Sequence, residues 1–355
     1  MSKVILKATD LDGYLTKEDN LNLEKIEKLY TNLQGIFPHF SKKAGSRSYD
    51  KKKEELIQHY NKIGDFLFSI IKKESNIHVY PFETPESIHG EASRVIAKLR
   101  NVDTEQPEFV YYIQRAYELL FNLAFSGKER KKKNYIIVKT PVTIPNQNYA
   151  LHKIPDVDDK VTNTTTCVML RGALLPSIIM SKEFQEYSSQ NYITPFALFK
   201  IYRNDKKEEH NMEYILDLDR SYFTKKELDG KDLIFADPMN ATGGSLVTIV
   251  NYLLDQNIKP KSIKFFNAIS AIKGTLRIIR ALKNVEIYTL WMDPVLNFRA
   301  YILPGLGDAG DRINGEDNEA YPRDIIQLIA DFGSNITALY RDQIRTIEHL
   351  VLRRK

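Results

Sequence analysis

The chain has 355 residues, of which 43% are hydrophobic and 27% are charged, and its formal net charge is +5. This composition excludes a chain that is disordered throughout, and the length suits one large domain or two moderate ones. The mild positive charge fits a small anionic substrate, whereas nucleic-acid binding is not expected without a basic stripe interleaved with aromatic side chains.

Residues 1–77 are predicted to form a helical N-terminal extension. Apolar residues recur there at helical spacing in two stretches: Leu23, Ile26, Leu29, Tyr30 and Leu33, then Leu56, Ile57, Tyr60, Ile63, Leu67 and Ile71. Each pattern describes a helix with one apolar face, which we expect to pack on the main domain or on another subunit. Residues 10–16 are similar to the first motif of haloacid-dehalogenase phosphatases, but too few residues follow for that fold, so a loop is predicted.

Residues 78–315 alternate between short β-rich runs and helices, which predicts a doubly wound α/β domain with a mostly parallel sheet. Several strands are nearly all apolar and lack a period-two pattern, as expected when helices cover both faces of a sheet. The predicted strands are 134–139, 164–170, 194–202, 232–236, 262–268 and 285–291, and the predicted helices are 109–125, 175–187, 245–256 and 274–282. Residues 316–355 are predicted to form a C-terminal helical extension.

An anion-binding loop is predicted between the strand that ends at 236 and the helix that follows. Its residues are Asp237, Pro238, Met239, Asn240, Ala241, Thr242, Gly243, Gly244 and Ser245. Paired glycines let backbone N–H groups turn inward, and the start of a helix adds free N–H groups and the positive end of its dipole. A phosphate monoester is the natural ligand. The alternative is a simple tight turn in which Ser245 caps the helix.

This loop and a second string, residues 301–312, together resemble the uracil phosphoribosyltransferase family. The second string reads YILPGLGDAGDR and is similar to the uracil-binding segment of that family. Weaker matches occur in the family's order. Thr140-Pro141 resembles the turn after the family's first core strand, and Leu170-Arg171 resembles its pyrophosphate segment. Tyr202-Arg203-Asn204 resembles the start of a flexible β-hairpin arm, whose second strand would contain Tyr214. The resemblance covers roughly residues 85–315.

The resemblance implies the phosphoribosyltransferase fold and a reaction of uracil with 5-phosphoribosyl diphosphate (PRPP) that yields UMP and diphosphate. Residues 237–245 would hold the ribose and its 5-phosphate, and Arg171 and Arg203 would bind PRPP near the diphosphate. Asp308 would contact PRPP and, with both arginines, form the catalytic set. Mg²⁺ is the implied cofactor, bound through PRPP and water near Asp308 without direct protein ligands.

Uracil is expected to bind mainly to main-chain groups of the second string. The residues implied are Tyr301, Ile302, Gly307, Asp308 and Ala309. Two departures from the family pattern stand near the site: Gly172 precedes Ala173 where the reverse order is usual, and Asn240 replaces an apolar residue. Two alternatives therefore stay open, namely a catalytically weak relative that senses uracil or UMP through a partner, and a transferase for another nucleobase.

The remaining expectations concern surroundings and partners. Cys167 is the only cysteine, so an internal disulfide is excluded, and its apolar neighbours predict a buried structural residue. No signal peptide is recognised, and no apolar stretch approaches the roughly 18 residues of a membrane span. We therefore predict a cytoplasmic enzyme that binds uracil and PRPP, contacts neither nucleic acid nor membrane, and forms a homodimer or a higher homo-oligomer.

Overall fold

The computed structural model describes residues 3–41, 47–125, 133–170 and 172–314. The α-helices are α1 (Ala8–Asp12), α2 (Lys17–Gln34), α3 (Arg47–Ile71), α4 (Tyr80–Glu83), α5 (His89–Arg100), α6 (Gln106–Phe125), α7 (Asp158–Val161), α8 (Leu174–Tyr187), α9 (Lys225–Leu228), α10 (Gly244–Asp255), α11 (Ile272–Ala281) and α12 (Ala309–Asn314). The strands are β1 (Lys3–Lys7), β2 (Ile77–Val79), β3 (Lys133–Lys139), β4 (Tyr149–Pro155), β5 (Thr164–Leu170), β6 (Phe196–Arg203), β7 (Glu213–Tyr222), β8 (Asp232–Asn240), β9 (Ser262–Ala271), β10 (Val285–Asp293), β11 (Val295–Leu296) and β12 (Ile302–Leu303). The predicted C-terminal helical extension, 316–355, lies outside the described residues.

Eight strands form one sheet in the order β1-β7-β6-β5-β8-β9-β10-β2. The strands from β6 to β2 run parallel, whereas β7 and β1 are antiparallel to their neighbours. All residues of β5 are buried, as its unbroken apolar and threonine sequence predicts for a strand with helices on both faces. The prediction of a mostly parallel α/β fold is confirmed.

Both edges of this sheet come from the N-terminal part of the chain. β1 pairs antiparallel with β7, and β2 pairs parallel with β10. Neither strand was predicted, because runs this short carry little periodic signal. The predicted loop at 10–16 is also partly wrong, since residues 8–12 form the short helix α1.

The predicted first core strand, 134–139, is observed as β3 but does not belong to the core. It pairs only with β4, in a separate two-stranded sheet. Ile137 is 70% exposed and Leu151 63%, so the side chains of this arm face solvent rather than covering helices. The hairpin predicted near Tyr202 and Tyr214 is β6–β7, and it lies within the main sheet.

The helices of the N-terminal extension share a core with the sheet. Ile26 and Leu33 of α2 and Leu67 of α3 belong to the same buried cluster as Cys167 and Phe235. The expectation that the apolar faces pack on the main domain is therefore confirmed for these residues, as is the burial of Cys167. The division at residues 77 and 315 stays a prediction.

Candidate active site

The predicted anion loop follows β8, which lies between β5 and β9 in the middle of the sheet. β8 extends to Asn240, farther than the predicted end at 236, and α10 begins at Gly244. Gly243 is the N-cap of α10 and has a φ of +77°, a conformation that favours glycine. Ser245 lies inside the helix, so the alternative in which Ser245 caps a simple turn is wrong.

Close backbone packing on α11 fixes the shape of this loop. A Cβ atom added at Gly243 would lie 2.7 Å from the carbonyl oxygen of Gly274 and 2.8 Å from Cγ1 of Ile278. A Cβ at Gly274 would overlap the carbonyl oxygen of Ala241 and lie 3.0 Å from the amide nitrogen of Gly243. Gly274 therefore positions the loop. Sequence reasoning missed this residue, and its only signal was a glycine at the start of a predicted helix.

The loop borders a cleft of about 270 Å³ that also contains residues from the second string. The predicted site residues that line this cleft are Arg203, Asp237, Met239, Asn240, Ala241, Thr242, Gly243, Ser245, Tyr301, Ile302 and Asp308. On the opposite side, a Cβ at Gly172 would lie 3.4 Å from the Cα of Gly310, so the loop after β5 closes against the second string. The two glycine-bearing segments thus meet at one cleft.

Five predicted site residues are not among the lining residues. Pro238 and Ala309 are buried, and Gly244 begins α10 with the ring of Tyr214 directly against it. Gly307 is exposed and has a φ of +79°, so its role is to turn the chain beside the cleft. Arg171 lies outside the described residues.

The Asp237 carboxyl lines the cleft, and Arg203 and Asp308 are its charged neighbours. Its Oδ1 atom accepts a hydrogen bond of 3.0 Å from the backbone N–H of Met239. Burial raises the pKa of Asp237 to about 6, the Met239 N–H and Arg203 oppose the rise, and Asp308 adds to it. Asp237 and Asp308 both line the cleft.

A pH dependence of PRPP use should follow from this raised pKa. Because the Asp237 carboxylate is the form that accepts hydrogen bonds from sugar hydroxyls, kcat/KM for PRPP should fall as the pH drops through about 6. At about pH 8, Asp237→Asn should reduce kcat/KM by roughly tenfold. The ratio of wild type to variant should shrink towards about pH 5, and taking the ratio cancels the titration of PRPP itself. A ratio that stays constant across this range would contradict the assignment.

The second string is held by a buried ion pair. Oδ2 of Asp293 accepts a hydrogen bond of 3.0 Å from the N–H of Gly305, and its Oδ1 atom lies 2.6 Å from the guanidinium of Arg100. Arg100 also donates to the carbonyl oxygen of Gly305, at 3.3 Å. The chain turns at Gly305 with a φ of +63°. Arg100 and Asp293, both within the resemblance but given no role there, thus position the loop that precedes Gly307.

Arg203 lies across the cleft from the anion loop. Its guanidinium donates a hydrogen bond of 3.3 Å to the carbonyl oxygen of Ala300 and lies 5.6 Å from the centre of the Tyr301 ring. A planar guanidinium in this position has further N–H donors that suit phosphate oxygens. The positive charge that the resemblance implies is therefore at the cleft.

Asn240, the departure from the family pattern, is 2% exposed and lines the cleft. Its Nδ2 atom donates to Oγ1 of Thr275 at 3.3 Å, while its Oδ1 atom has no hydrogen-bond partner among the described residues. The substitution therefore adds a polar acceptor to the wall of the cleft while one end stays tied to α11.

The residues at the cleft fit a magnesium ion that is shared with a phosphate ligand. Within the described ranges no group of three or more His, Cys, Asp or Glu side chains forms a metal site, so a cage made by protein ligands is not present there. Asp237 and Asp308 supply hard oxygen atoms, and the influence of Asp308 on the pKa of Asp237 shows the mutual repulsion that a cation would relieve.

None of the helices in the described part of the chain has the length and apolar character of a membrane span.

A mostly parallel sheet with a glycine-bearing loop at the carboxyl end of a central strand is the arrangement in which doubly wound α/β proteins bind phosphate-bearing ligands. A sequence model of the family described as uracil phosphoribosyltransferase matches residues 87–315. The chain therefore belongs to the uracil phosphoribosyltransferase family, which confirms the resemblance found in the sequence.

Individual relatives agree with this family. The uracil phosphoribosyltransferase of Polaromonas naphthalenivorans is 44% identical over 90 residues, which are 25% of this chain and 42% of that protein. That of Campylobacter concisus is 29% identical over 219 residues, or 61% of this chain and 89% of that protein. The chain spans about half the length of most of the curated relatives that it matches. Among solved structures, it is similar to the AQ2163 protein from Aquifex aeolicus, with 23% identity, a TM-score of 0.46, and coverage of 66% of this chain and 97% of that one.

Proposed function

We propose that this chain transfers the phosphoribosyl group of PRPP to uracil, giving UMP and diphosphate. One observation carries the proposal: a single cleft is bordered both by the anion loop after β8 and by Tyr301, Ile302 and Asp308 of the second string. The loop supplies the donors that a 5-phosphate needs, and the second string supplies strand-edge backbone that is complementary to the alternating carbonyl and N–H groups of uracil.

In the proposed reaction a ring nitrogen of uracil forms a bond to the anomeric carbon of PRPP, and the bond from that carbon to the diphosphate oxygen breaks. The bonding electrons leave with the diphosphate, and the proton of the uracil N–H passes to solvent water. The loop and Asp237 hold the sugar while the second string orients the base, so the reacting atoms are kept in line. Arg203, with Arg171, stabilises the negative charge that develops on the leaving group. When bound, Mg²⁺ supplies further charge neutralisation at the diphosphate.

The proposal also includes an oligomeric state and a cytoplasmic location. A homodimer or higher homo-oligomer is supported by the apolar side chains that the β3–β4 arm leaves exposed, among them Tyr135, Ile137 and Leu151. Cytoplasmic location is supported by the lone buried cysteine, Cys167, which needs no oxidising compartment.

The test is a steady-state assay of UMP formation from uracil, PRPP and Mg²⁺, repeated with a panel of other nucleobases. Activity with uracil that exceeds the activity with every other base supports the proposal. Higher activity with another base would support phosphoribosyl transfer but would replace uracil as the proposed substrate. Tight UMP binding without turnover would replace the enzyme by a uracil- or UMP-sensing relative.

A further inference from the structure

The residues before the transferase core contain a motif to which the proposed function assigns no role. Asp12, in the segment similar to a phosphatase motif, contacts the transferase core. Its Oδ1 atom accepts hydrogen bonds from Arg277, at 2.9 Å from Nε and 2.6 Å from a terminal guanidinium nitrogen. The two residues are 265 positions apart in the chain, so this contact joins the N-terminal extension to α11.

Arg277 is fully buried, with 0% of its side chain exposed. A buried guanidinium needs partners for its charge and for its N–H groups, because an uncompensated buried charge is strongly destabilising. Glu209, in the connection between β6 and β7, provides the second carboxylate, at 2.9 Å. Glu209 in turn lies 2.8 Å from Nζ of Lys273. The positive charges of Arg277 and Lys273 are thus balanced by the negative charges of two carboxylates, Asp12 and Glu209.

The cluster lies directly behind the anion loop. A terminal nitrogen of Arg277 is 3.5 Å from the carbonyl oxygen of Thr242, the residue before Gly243. One turn earlier on the same helix, Gly274 packs against Ala241. α11 therefore meets the loop at two points, through a glycine backbone and through a guanidinium whose orientation Asp12 fixes.

Arg277 also lowers the pKa of Glu209, the second carboxylate of the cluster. Burial by itself would raise the pKa of Glu209, but Arg277 and Lys273 outweigh burial and lower it. The backbone N–H of Glu209 donates to the carbonyl oxygen of Phe298 at 2.7 Å, near the start of the second string. The cluster thus contacts the anion loop on one side and, on the other, a residue three positions before the second string.

We infer that Asp12 is a positioning residue for the phosphate loop: through Arg277, the N-terminal extension holds Thr242 and Gly243 in the conformation that binds the 5-phosphate of PRPP. The inference rests on the proposed function for the identity of the ligand. It gives the extension a role in substrate binding, although the extension contributes no residue to the cleft.

Asp12→Asn keeps the shape of the side chain and removes its charge, so the salt bridge to Arg277 weakens while the helix is retained. We expect kcat/KM for PRPP to fall about tenfold with KM for uracil unchanged, because a small displacement of a binding loop has effects of this size or larger. Asp12→Glu should restore most of the loss. If the variant acted only by adding positive charge near the phosphate, KM for PRPP would instead decrease, which would overturn the inference.

Asp10→Asn on the same helix is the matched control, because in the described part of the chain the hydrogen bond that the Asp10 side chain accepts is local, from the N–H of Lys7 at 3.2 Å. Amide hydrogen exchange of a peptide covering 237–250, measured without ligand, provides a readout that does not depend on activity. We expect faster exchange there in Asp12→Asn and in Arg277→Lys, and wild-type exchange in Asp10→Asn. Unchanged exchange and unchanged PRPP kinetics in Asp12→Asn would refute the inference, whereas a wild-type chain that forms no UMP would refute the proposed function and leave the exchange result to decide the role of Asp12.

Discussion

Replacing Asp308 with alanine is expected to reduce kcat for UMP formation by a factor of about 100 to 1000. Asp308 is exposed at the cleft, and its charge raises the pKa of Asp237, so both carboxylates act on the same region. Its removal would take away a carboxylate that could accept hydrogen bonds from the water molecules on Mg²⁺, so the ion would be held less well and the charge developing on the proposed diphosphate leaving group would be less well compensated. Steady-state kinetics at saturating uracil, PRPP and Mg²⁺ measure the effect.

Asp308 also has a structural contact that the experiment must separate from catalysis. Its Oδ1 atom accepts a hydrogen bond of 3.1 Å from the N–H of Asp311, at the start of α12. Asp308→Asn keeps an acceptor for that bond and removes the charge, so it should lose nearly as much activity as Asp308→Ala without loss of thermal stability. Asp255→Asn, at an exposed carboxylate that ends α10, serves as the control and should stay close to wild type. An Asp308→Asn enzyme with activity within about threefold of wild type would rule out a role for this charge in catalysis.

The second large effect is expected at Gly274, outside the residues that line the cleft. Alanine at this position would overlap the carbonyl oxygen of Ala241 and lie 2.7 Å from its carbonyl carbon, so the loop or the helix must move. Because the contacts are with backbone, a side-chain rotation does not relieve them. We expect kcat/KM for PRPP to fall about 100-fold, in line with the cost of displacing a binding group by about 1 Å.

Gly90→Ala provides the matched control for this substitution. Gly90 lies in the first turn of α5, as Gly274 lies in the first turn of α11, but a Cβ at Gly90 would meet no atom within 4 Å. The control should retain wild-type kinetics, and its helix should become slightly more stable. If Gly274→Ala bound PRPP as tightly as Gly90→Ala does, the packing of α11 would not determine the shape of the loop.

The central sheet and the loop could be predicted because their signals are local. β5, β8, β9 and β10 are rich in apolar residues and lack a period-two pattern, and the sequence from Asp237 to Ser245 specifies a strand, a glycine turn and a helix in succession. Parallel strands place their carboxyl ends at one edge of the sheet, and the segments that follow these strands meet there. The cleft that they share follows from the topology.

The parts that were missed depend on contacts distant in the chain. β1 pairs with β7 across about 200 residues, and the partner of Arg277 is 265 positions away, so neither contact leaves a periodic pattern. The β3 sequence is apolar enough for a core strand, but the sheet positions beside β5 are taken by β6 and β8. Its place on an exposed arm therefore depends on competition between strands, which a single segment of sequence does not reveal.

The two flanking strands of the sheet have a consequence for any shortened form of this protein. The part that matches the family begins at residue 87, after both β1 and β2. A chain cut at that boundary would keep the loop and the second string, yet the backbone N–H and C=O groups of β7 and β10 would face solvent unpaired. Unpaired edge strands of this kind pair with other chains, so we expect a protein cut at the family boundary to aggregate. We therefore expect a chain that retains β1 and β2 to associate less than one cut at residue 87.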